Sequence, residues 1–320
     1  RGDVLLEKTG MQLVRFEDEQ DAYGNTVMRP VFQNGYLAGA VFELRAAEDI
    51  AGKEGSVFYR KDELIETLTT SKTGSVKSKV LPLGKYSLTE ISAPDGYVLD
   101  ATPHPFTLAA VDQQTALVEV KVSAGNTYLP VRVTLRKQKE NLLLTETADG
   151  MIHQTVETVP GEGFVFGLFN RDVIAYGDSQ KLPANTLMAT GATDSQGNLT
   201  FSGLYPHGDY YIKELSVPDG WLLSAQTYPV TLTPDHKASG ENVITVYLDQ
   251  PILNRLIYTP VTLTKTDITG EEKLPGALIE VYDAEGNIIY REYTDANGEI
   301  PNIPVVPGTY TFKETYAPSG

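Results

Sequence analysis

Apolar and polar residues exchange at every second position along most of this chain. They do so in short runs rich in Val, Thr, Tyr and Leu, punctuated by Gly, Pro, Asn and Asp. A period of two is the signature of a strand with one face turned to a core. Helical periodicity is nearly absent, and one segment, "RKDELIETL" from Arg60 to Leu68, reads as a single short helix. "DSQGN" (Asp194 to Asn198) and "DANGE" (Asp295 to Glu299) read as tight hairpin turns. The pattern predicts an all-β chain built of sandwiches.

One polar residue interrupts the alternation at the same place three times. In "YSLTE", Tyr86, Leu88 and Glu90 share a strand face; in "YYIKE" the set is Tyr210, Ile212 and Glu214; in "YTFKE" it is Tyr310, Phe312 and Glu314. Each glutamate stands where a core residue belongs. Lysines do the same on another strand: Lys8 follows Val4 and Leu6, Lys137 follows Val133 and Leu135, and Lys265 follows Val261 and Leu263. A lone buried charge costs several kcal/mol or neutralises by shifting its pKa. A buried ion pair rarely outdoes plain hydrophobes. Three repetitions of such an arrangement point to chemistry.

The lysines and glutamates belong to an internal repeat. Four landmarks recur in order: a V-x-L-x-K strand ending at Lys8, Lys137 and Lys265; a Gly-led run ("GAVFEL", "GFVFGL", "GALIEV"); the Tyr-Glu strand; and a Pro-Asp-Gly or Pro-Ser-Gly turn. The lysines are 137 − 8 = 129 and 265 − 137 = 128 positions apart. This spacing divides the chain into residues 1–129, 130–258 and a partial repeat, 259–320, that lacks its last strand. Pro130 and Pro260 open the second and third repeats and suit short, stiff linkers. Repeats one and two carry insertions that the third lacks, among them "MQLVRFEDEQDAYGNTVMRPVFQNGY". Both full repeats end on an alternating strand leading to an asparagine. Lys8 to Asn126 is 118 positions and Lys137 to Asn254 is 117, although Gly125 and Pro251 can each shift the strand register.

Composition narrows the function classes. The net charge of −16 argues against nucleic acid as a partner. No apolar run reaches a membrane span, so this segment carries no membrane insertion, and any export or anchoring signal must lie outside it. With no cysteine, neither disulfides nor thiolate metal sites can form. His104, His153, His207 and His236 show no ligand spacing and read as loop histidines; no cofactor or metal is expected. "DANGE" lacks the ligand set of a calcium loop, and the Arg1-Gly2-Asp3 tripeptide reads as a chance occurrence.

The V-x-L-x-K strand, the G-A-x-F-E-L strand and the Y-x-L-x-E-x-x-A-P-x-G-Y turn together resemble the B-type repeat (CnaB-like) domains of Gram-positive collagen adhesins and pilins. The resemblance spans essentially the whole chain. It implies tandem transthyretin-like (prealbumin-like, Ig-like) β-sandwiches, each locked by a self-formed Lys–Asn isopeptide bond. Lys8, Glu90 and Asn126 would serve repeat one, and Lys137, Glu214 and Asn254 repeat two. Repeat three shows Lys265 and Glu314, with the expected asparagine beyond Gly320.

The residue chemistry is compatible with this. Only a neutral amine attacks a carboxamide, and burial lowers a lysine pKa. A protonated carboxyl group can donate to the amide oxygen and pass a proton to departing ammonia. The expected protein is a monomeric, extracellular, cell-wall-anchored stalk, not a turnover enzyme. A host protein or glycan would be met through other parts of the full-length protein. The alternative is a ligand-binding adhesive module that uses the inserted loops.

Overall fold

The structure, a computed structural model, describes residues 1–52, 55–112, 116–177, 179–233 and 242–318. Among these, every regular element is a strand, in line with the all-β expectation and the period-two pattern. The first repeat contributes β1 (Gly2–Gln20), β2 (Thr26–Tyr36), β3 (Val41–Ala46), β4 (Ile50–Ala51), β5 (Val57–Tyr59), β6 (Leu64–Thr69), β7 (Ser75–Lys77), β8 (Gly84–Ser92), β9 (His104–Leu108) and β10 (Val118–Asn126). The second contributes β11 (Val131–Glu146), β12 (Ile152–Pro160), β13 (Val165–Asn170), β14 (Ile174–Tyr176), β15 (Gln180–Leu182), β16 (Leu187–Ala192), β17 (Asn198–Gly203), β18 (Gly208–Ser216), β19 (Thr227–Leu232), β20 (Ile244–Tyr247) and β21 (Ile252–Asn254). The third contributes β22 (Thr259–Thr264), β23 (Leu278–Tyr282), β24 (Ile288–Tyr293), β25 (Glu299–Val305) and β26 (Thr311–Tyr316).

Each full repeat is two facing sheets. In repeat one, β1 lies between β10 and both β7 and β2, opposite a sheet ordered β6-β3-β8-β9. In repeat two, β11 pairs with β17, β20, β21 and β12, opposite β16-β13-β18-β19. Alternate residues of both sheets point inward and make the core: Val4, Leu6, Phe42, Leu44, Tyr86 and Leu88 in repeat one, and Val133, Leu135, Phe166, Leu168, Tyr210 and Ile212 in repeat two. Repeat three has a smaller core around Ile279, Val281, Ile300 and Ile303. There β22 pairs with β25 alone among the described residues.

Two sequence expectations need correction. The segment read as a helix is a turn at Arg60–Glu63 followed by strand β6, paired antiparallel to β3. Leu68 is its one fully buried side chain, and pairing to a sheet edge overrides the local helical pattern. "DSQGN" and "DANGE" are tight turns, closed by Gly197 N–H to Asp194 O and Gly298 N–H to Asp295 O. Neither makes a hairpin: the first carries the chain from β16 to β17 and the second from β24 to β25, strands that pair with different partners.

The histidine reading also changes. His104 and His153 sit in β9 and β12, His207 in the turn before β18, and His236 outside the described residues. Asp3 of the Arg-Gly-Asp tripeptide is buried in β1 against Lys77 (3.1 Å). The third-repeat Pro-Ser-Gly turn runs into residues outside the described set.

The large insertion of repeat one is the far half of β1 together with β2, a hairpin that leaves the sandwich beyond Gly10. It leans on repeat two. Phe16 and Met28 pack against the second core, the rings of Phe16 and Tyr176 meet edge-on at 5.0 Å, and Thr190 Oγ1 donates to Asp21 at 2.6 Å. Tyr128 closes the junction, stacked on His207 and flanked by Phe32 and Tyr97. Repeat two reaches forward in the same way through β11 and β12. Ile152 pairs with Arg291, His153 contacts Glu292 at 2.7 Å, and Arg291 donates to Gly150 O.

Replacing Met11–Asn34 by a two-residue turn should leave both sandwiches folded but free to swing. Small-angle scattering should then give a broader pair-distance distribution than for the intact chain; an unchanged distribution would mean the hairpin adds no stiffness.

Candidate functional site: a buried lysine, glutamate and asparagine

The lysine and asparagine come from neighbouring strands of one sheet, and the glutamate from the sheet opposite. β10 runs parallel to β1 in unbroken register, Gly2 against Val118 through Gly10 against Asn126, a constant offset of 116. Asn126 thus lies opposite the residue two beyond Lys8, on the same face. In repeat two the last strand is interrupted. Val131 pairs with Ile244 (offset 113), whereas Lys139 pairs with Asn254 (offset 115). The slip around Asp249–Pro251 is two residues. An even slip preserves the inward face, so Asn254 again stands opposite the residue two beyond its lysine.

The glutamates share a local device. Glu90, Glu214 and Glu314 pair with Phe42, Phe166 and Ile279, and in all three repeats the ladder shifts immediately beyond the glutamate. A bulge bends its strand and re-aims the adjacent side chain. Just upstream, the strand entry is pinned by the tyrosine hydroxyl: Tyr86, Tyr210 and Tyr310 donate to the carbonyls of Pro82, Pro206 and Val306.

Burial of the two full sets is nearly complete: Lys8 0%, Glu90 1% and Asn126 7% exposed, and Lys137 1%, Glu214 1% and Asn254 2%. In repeat one, Lys8 Nζ donates to Asn126 Oδ1 and lies 3.1 Å from Glu90 Oε1. That same oxygen accepts from Asn126 Nδ2 at 3.0 Å, so one carboxylate atom touches both the amine and the amide nitrogen. Glu90 Oε2 is held by the backbone N–H of Asp100 at 3.1 Å. The apolar walls include the Phe42 ring, 5.2 Å from the amine. Burial holds the Lys8 amine below its ordinary pKa, against the opposing pull of Glu90.

Repeat two keeps the glutamate–asparagine half and turns the lysine. Asn254 Nδ2 donates to Glu214 Oε2 and to Leu222 O, each at 2.7 Å, and Ser224 N–H donates to Glu214 Oε2 at 2.8 Å. Lys137 Nζ instead donates to the carbonyls of Gln138 and Ile252, over the Phe164 ring. Glu214 Oε1 and Asn254 Oδ1 are left buried without a hydrogen-bond partner. These are the counterparts of the two atoms that meet Lys8 in repeat one. Burial brings the Lys137 amine down to about 8, opposed by Glu214 and reinforced by Lys139. In repeat three, Lys265 and Glu314 face each other at 3.4 Å, each about a third exposed. Such an open pair contributes little to stability.

The family described as SpaA, prealbumin-like fold domain, matches residues 32–125, 154–245 and 259–320. The chain belongs to this family. Among solved structures it is similar to the Bacillus anthracis TIE protein, with 22% identity and a TM-score of 0.60, over 99% of this chain and 45% of that one. This chain therefore spans less than half the length of that protein. It is also similar to BcpA, the major pilin subunit of Bacillus cereus (18% identity, TM-score 0.39, 99% of this chain and 88% of that one). A third is GBS52, the minor pilin of Streptococcus agalactiae (16%, TM-score 0.28, 83% and 100%). No curated protein is significantly similar to the chain.

Several parts of these prealbumin-like sites escape a side-chain reading of the sequence. The donors to the glutamates are backbone groups ten residues downstream, Asp100 N–H and Ser224 N–H. The aromatic residue after each Pro-Asp-Gly turn closes the region. Tyr97 donates to Met11 O and Trp221 Nε1 to Glu140 O, each at 2.7 Å. The repetition of that aromatic in "PDGY" and "PDGW" was the available signal.

In an Asn254→Ala chain, Lys137 should titrate near pH 8 by NMR. The folded domain then holds fewer protons than the unfolded chain from about pH 8 to the ordinary lysine value of 10.5. Its stability should rise with pH across that window. A midpoint near 10.5 would mean a solvated amine.

Proposed function

We propose that the chain is a structural stalk segment of an extracellular, cell-wall-anchored surface protein, with its two full repeats each locked by a Lys–Asn isopeptide bond made without an enzyme. The observation that carries this is the contact of Lys8, Glu90 and Asn126 in a water-excluding core, with the equivalent residues buried together in repeat two. In the proposed step the neutral Nζ attacks the asparagine Cγ. The Nζ–Cγ bond forms, the Cγ–Nδ2 bond breaks, and ammonia leaves. Glu90 Oε1, within 3.1 Å of Nζ and 3.0 Å of Nδ2, is placed to take the proton from one nitrogen and deliver it to the other without moving. The donation from a protonated glutamate to the amide oxygen, expected from the sequence, is not the contact present: that oxygen faces the lysine. Fixed proximity supplies the remainder of the rate. In repeat two, rotation of the lysine side chain would bring Nζ to the two unpartnered oxygens. Each domain reacts once, so this is self-modification and not turnover.

The mechanical consequence follows from topology. β1 and β10 are parallel neighbours, so tension along the chain shears one against the other. A link from Lys8 to Asn126 carries that tension across the pair and leaves the 126 − 8 = 118 positions between them slack. Unlinked, a segment of that length would pay out roughly 400 Å at about 3.4 Å per residue. By analogy with a disulfide, the link also removes about 4.7 kcal/mol of unfolded-state entropy for a loop of ~100 residues. The adhesive alternative draws less support, because the inserted hairpins are occupied in gripping the following repeat. A host protein or glycan would be engaged by other parts of the full-length protein.

Intact mass under denaturing conditions should fall short of the sequence mass by two ammonia molecules, and by one in Glu90→Ala or Glu214→Ala. A native mass equal to the sequence mass removes the reading. The rate of bond formation in repeat two should climb with pH and level off above about 8, where Lys137 is neutral. A flat profile across that range would count against attack by the free amine.

A further inference from the structure

The proposed reaction uses three side chains per domain, yet the structure repeats a fourth component that it leaves unexplained. In every repeat a turn of the form Thr-x-x-x-Gly grips the lysine by its backbone. The pairs are Thr70 and Gly74, Thr193 and Gly197, and Thr294 and Gly298. The lysine N–H donates to the glycine carbonyl: Lys8 to Gly74 at 2.7 Å, Lys137 to Gly197 at 2.6 Å, Lys265 to Gly298 at 2.8 Å. The lysine carbonyl accepts from Leu37, Gly161 and Leu274 N–H at 2.9, 3.0 and 2.9 Å. The carbonyls of those same three residues accept from the threonine hydroxyls at 2.8, 2.6 and 2.8 Å. Each hydroxyl in turn accepts from the N–H that opens the next strand, at Ala40, Phe164 and Ala277. All three threonines are buried.

The glycine is required by geometry. Its φ is +68° at Gly74, +75° at Gly197 and +69° at Gly298. A Cβ would meet the carbonyl oxygen of Lys8 at 2.6 Å and of Lys265 at 3.0 Å, and would collide with that of Lys137. The separation of lysine and glycine is 74 − 8 = 66, 197 − 137 = 60 and 298 − 265 = 33 positions, yet the hydrogen-bonded circuit is the same. A circuit that survives such changes in chain length is tied to the lysine itself.

We infer that the Thr-x-x-x-Gly turn is the positioning device of the cross-link. Thr193 and Gly197 fix the root of Lys137, and Thr70 and Gly74 that of Lys8, so that the amine reaches the glutamate and asparagine from a fixed Cα. These are positioning residues: they touch the lysine backbone, not the reacting atoms. The inference rests on the cross-linking reading. A lysine has four side-chain torsions, and a reaction whose rate comes from proximity loses about 100-fold for a misplacement of about 1 Å.

The test makes the whole chain by cell-free synthesis, stops it at timed points, and measures the Lys137–Asn254 linked peptide by mass spectrometry. The Lys8–Asn126 peptide of the same molecules is the internal reference. Trp221, the sole tryptophan, lies in repeat two and reports its folding by fluorescence. Gly197→Ala and Thr193→Val should fold by that signal but link repeat two at least about ten-fold more slowly than repeat one. Thr193→Ser, which keeps the hydroxyl, should restore the rate. Gly150→Ala is the control for backbone strain, since Gly150 has φ +85° with open space around it; it should change nothing. If Gly197→Ala does not fold, the Thr193→Val and Thr193→Ser pair decides alone. Wild-type linking in the folded variants, or no rescue by Thr193→Ser, overturns the positioning role and leaves the cross-link standing. A wild-type chain without either linked peptide overturns both.

Discussion

The structure depends on the burial of an amine. A lysine at the end of an apolar stripe must be desolvated, and everything around Lys8 and Lys137 answers that cost. Aromatic rings wall the space, a carboxylate approaches from the opposite sheet, and an amide arrives from the last strand. In repeat one the glutamate of one sheet meets the lysine and asparagine of the other, and this contact ties the two sheets together. An ordinary apolar core would tolerate small slides between sheets; this one would leave a buried charge unpaired.

The repeats show two solutions of the same local problem. In repeat one the lysine is already seated between glutamate and asparagine. In repeat two it hydrogen-bonds to the backbone, and two acceptors stand unused. In repeat three, Lys265 and Glu314 stay in contact but are partly open to solvent.

Strand parity made much of this legible before any coordinates. The inward lysines and glutamates of the two full repeats follow from a period of two, while the repeats and their asparagines follow from recurrence along the chain; the interruption at Pro251 kept the period because its slip is even. What parity cannot convey is pairing. It cannot tell that the strands beside "DSQGN" join different sheets, nor that Leu64–Thr69 is a strand, because both depend on partners distant in sequence. The long insertion carried no sign that its hairpin would lie on the following repeat. Backbone donors such as Asp100 N–H and the Thr-x-x-x-Gly circuit are invisible to a reading of side chains. Their side-chain types are common, and only their spacing across three copies sets them apart.

The position of the asparagine has a consequence for biosynthesis. It is the final residue of the last strand, so a growing chain exposes the lysine and the glutamate well before it exposes the group they would act on. On the proposed cross-link, closure of each domain waits for completion of its last strand. A chain interrupted before Asn126 or Asn254 would then lack the group its lysine and glutamate act on. Order of synthesis alone would thereby separate finished domains from unfinished ones.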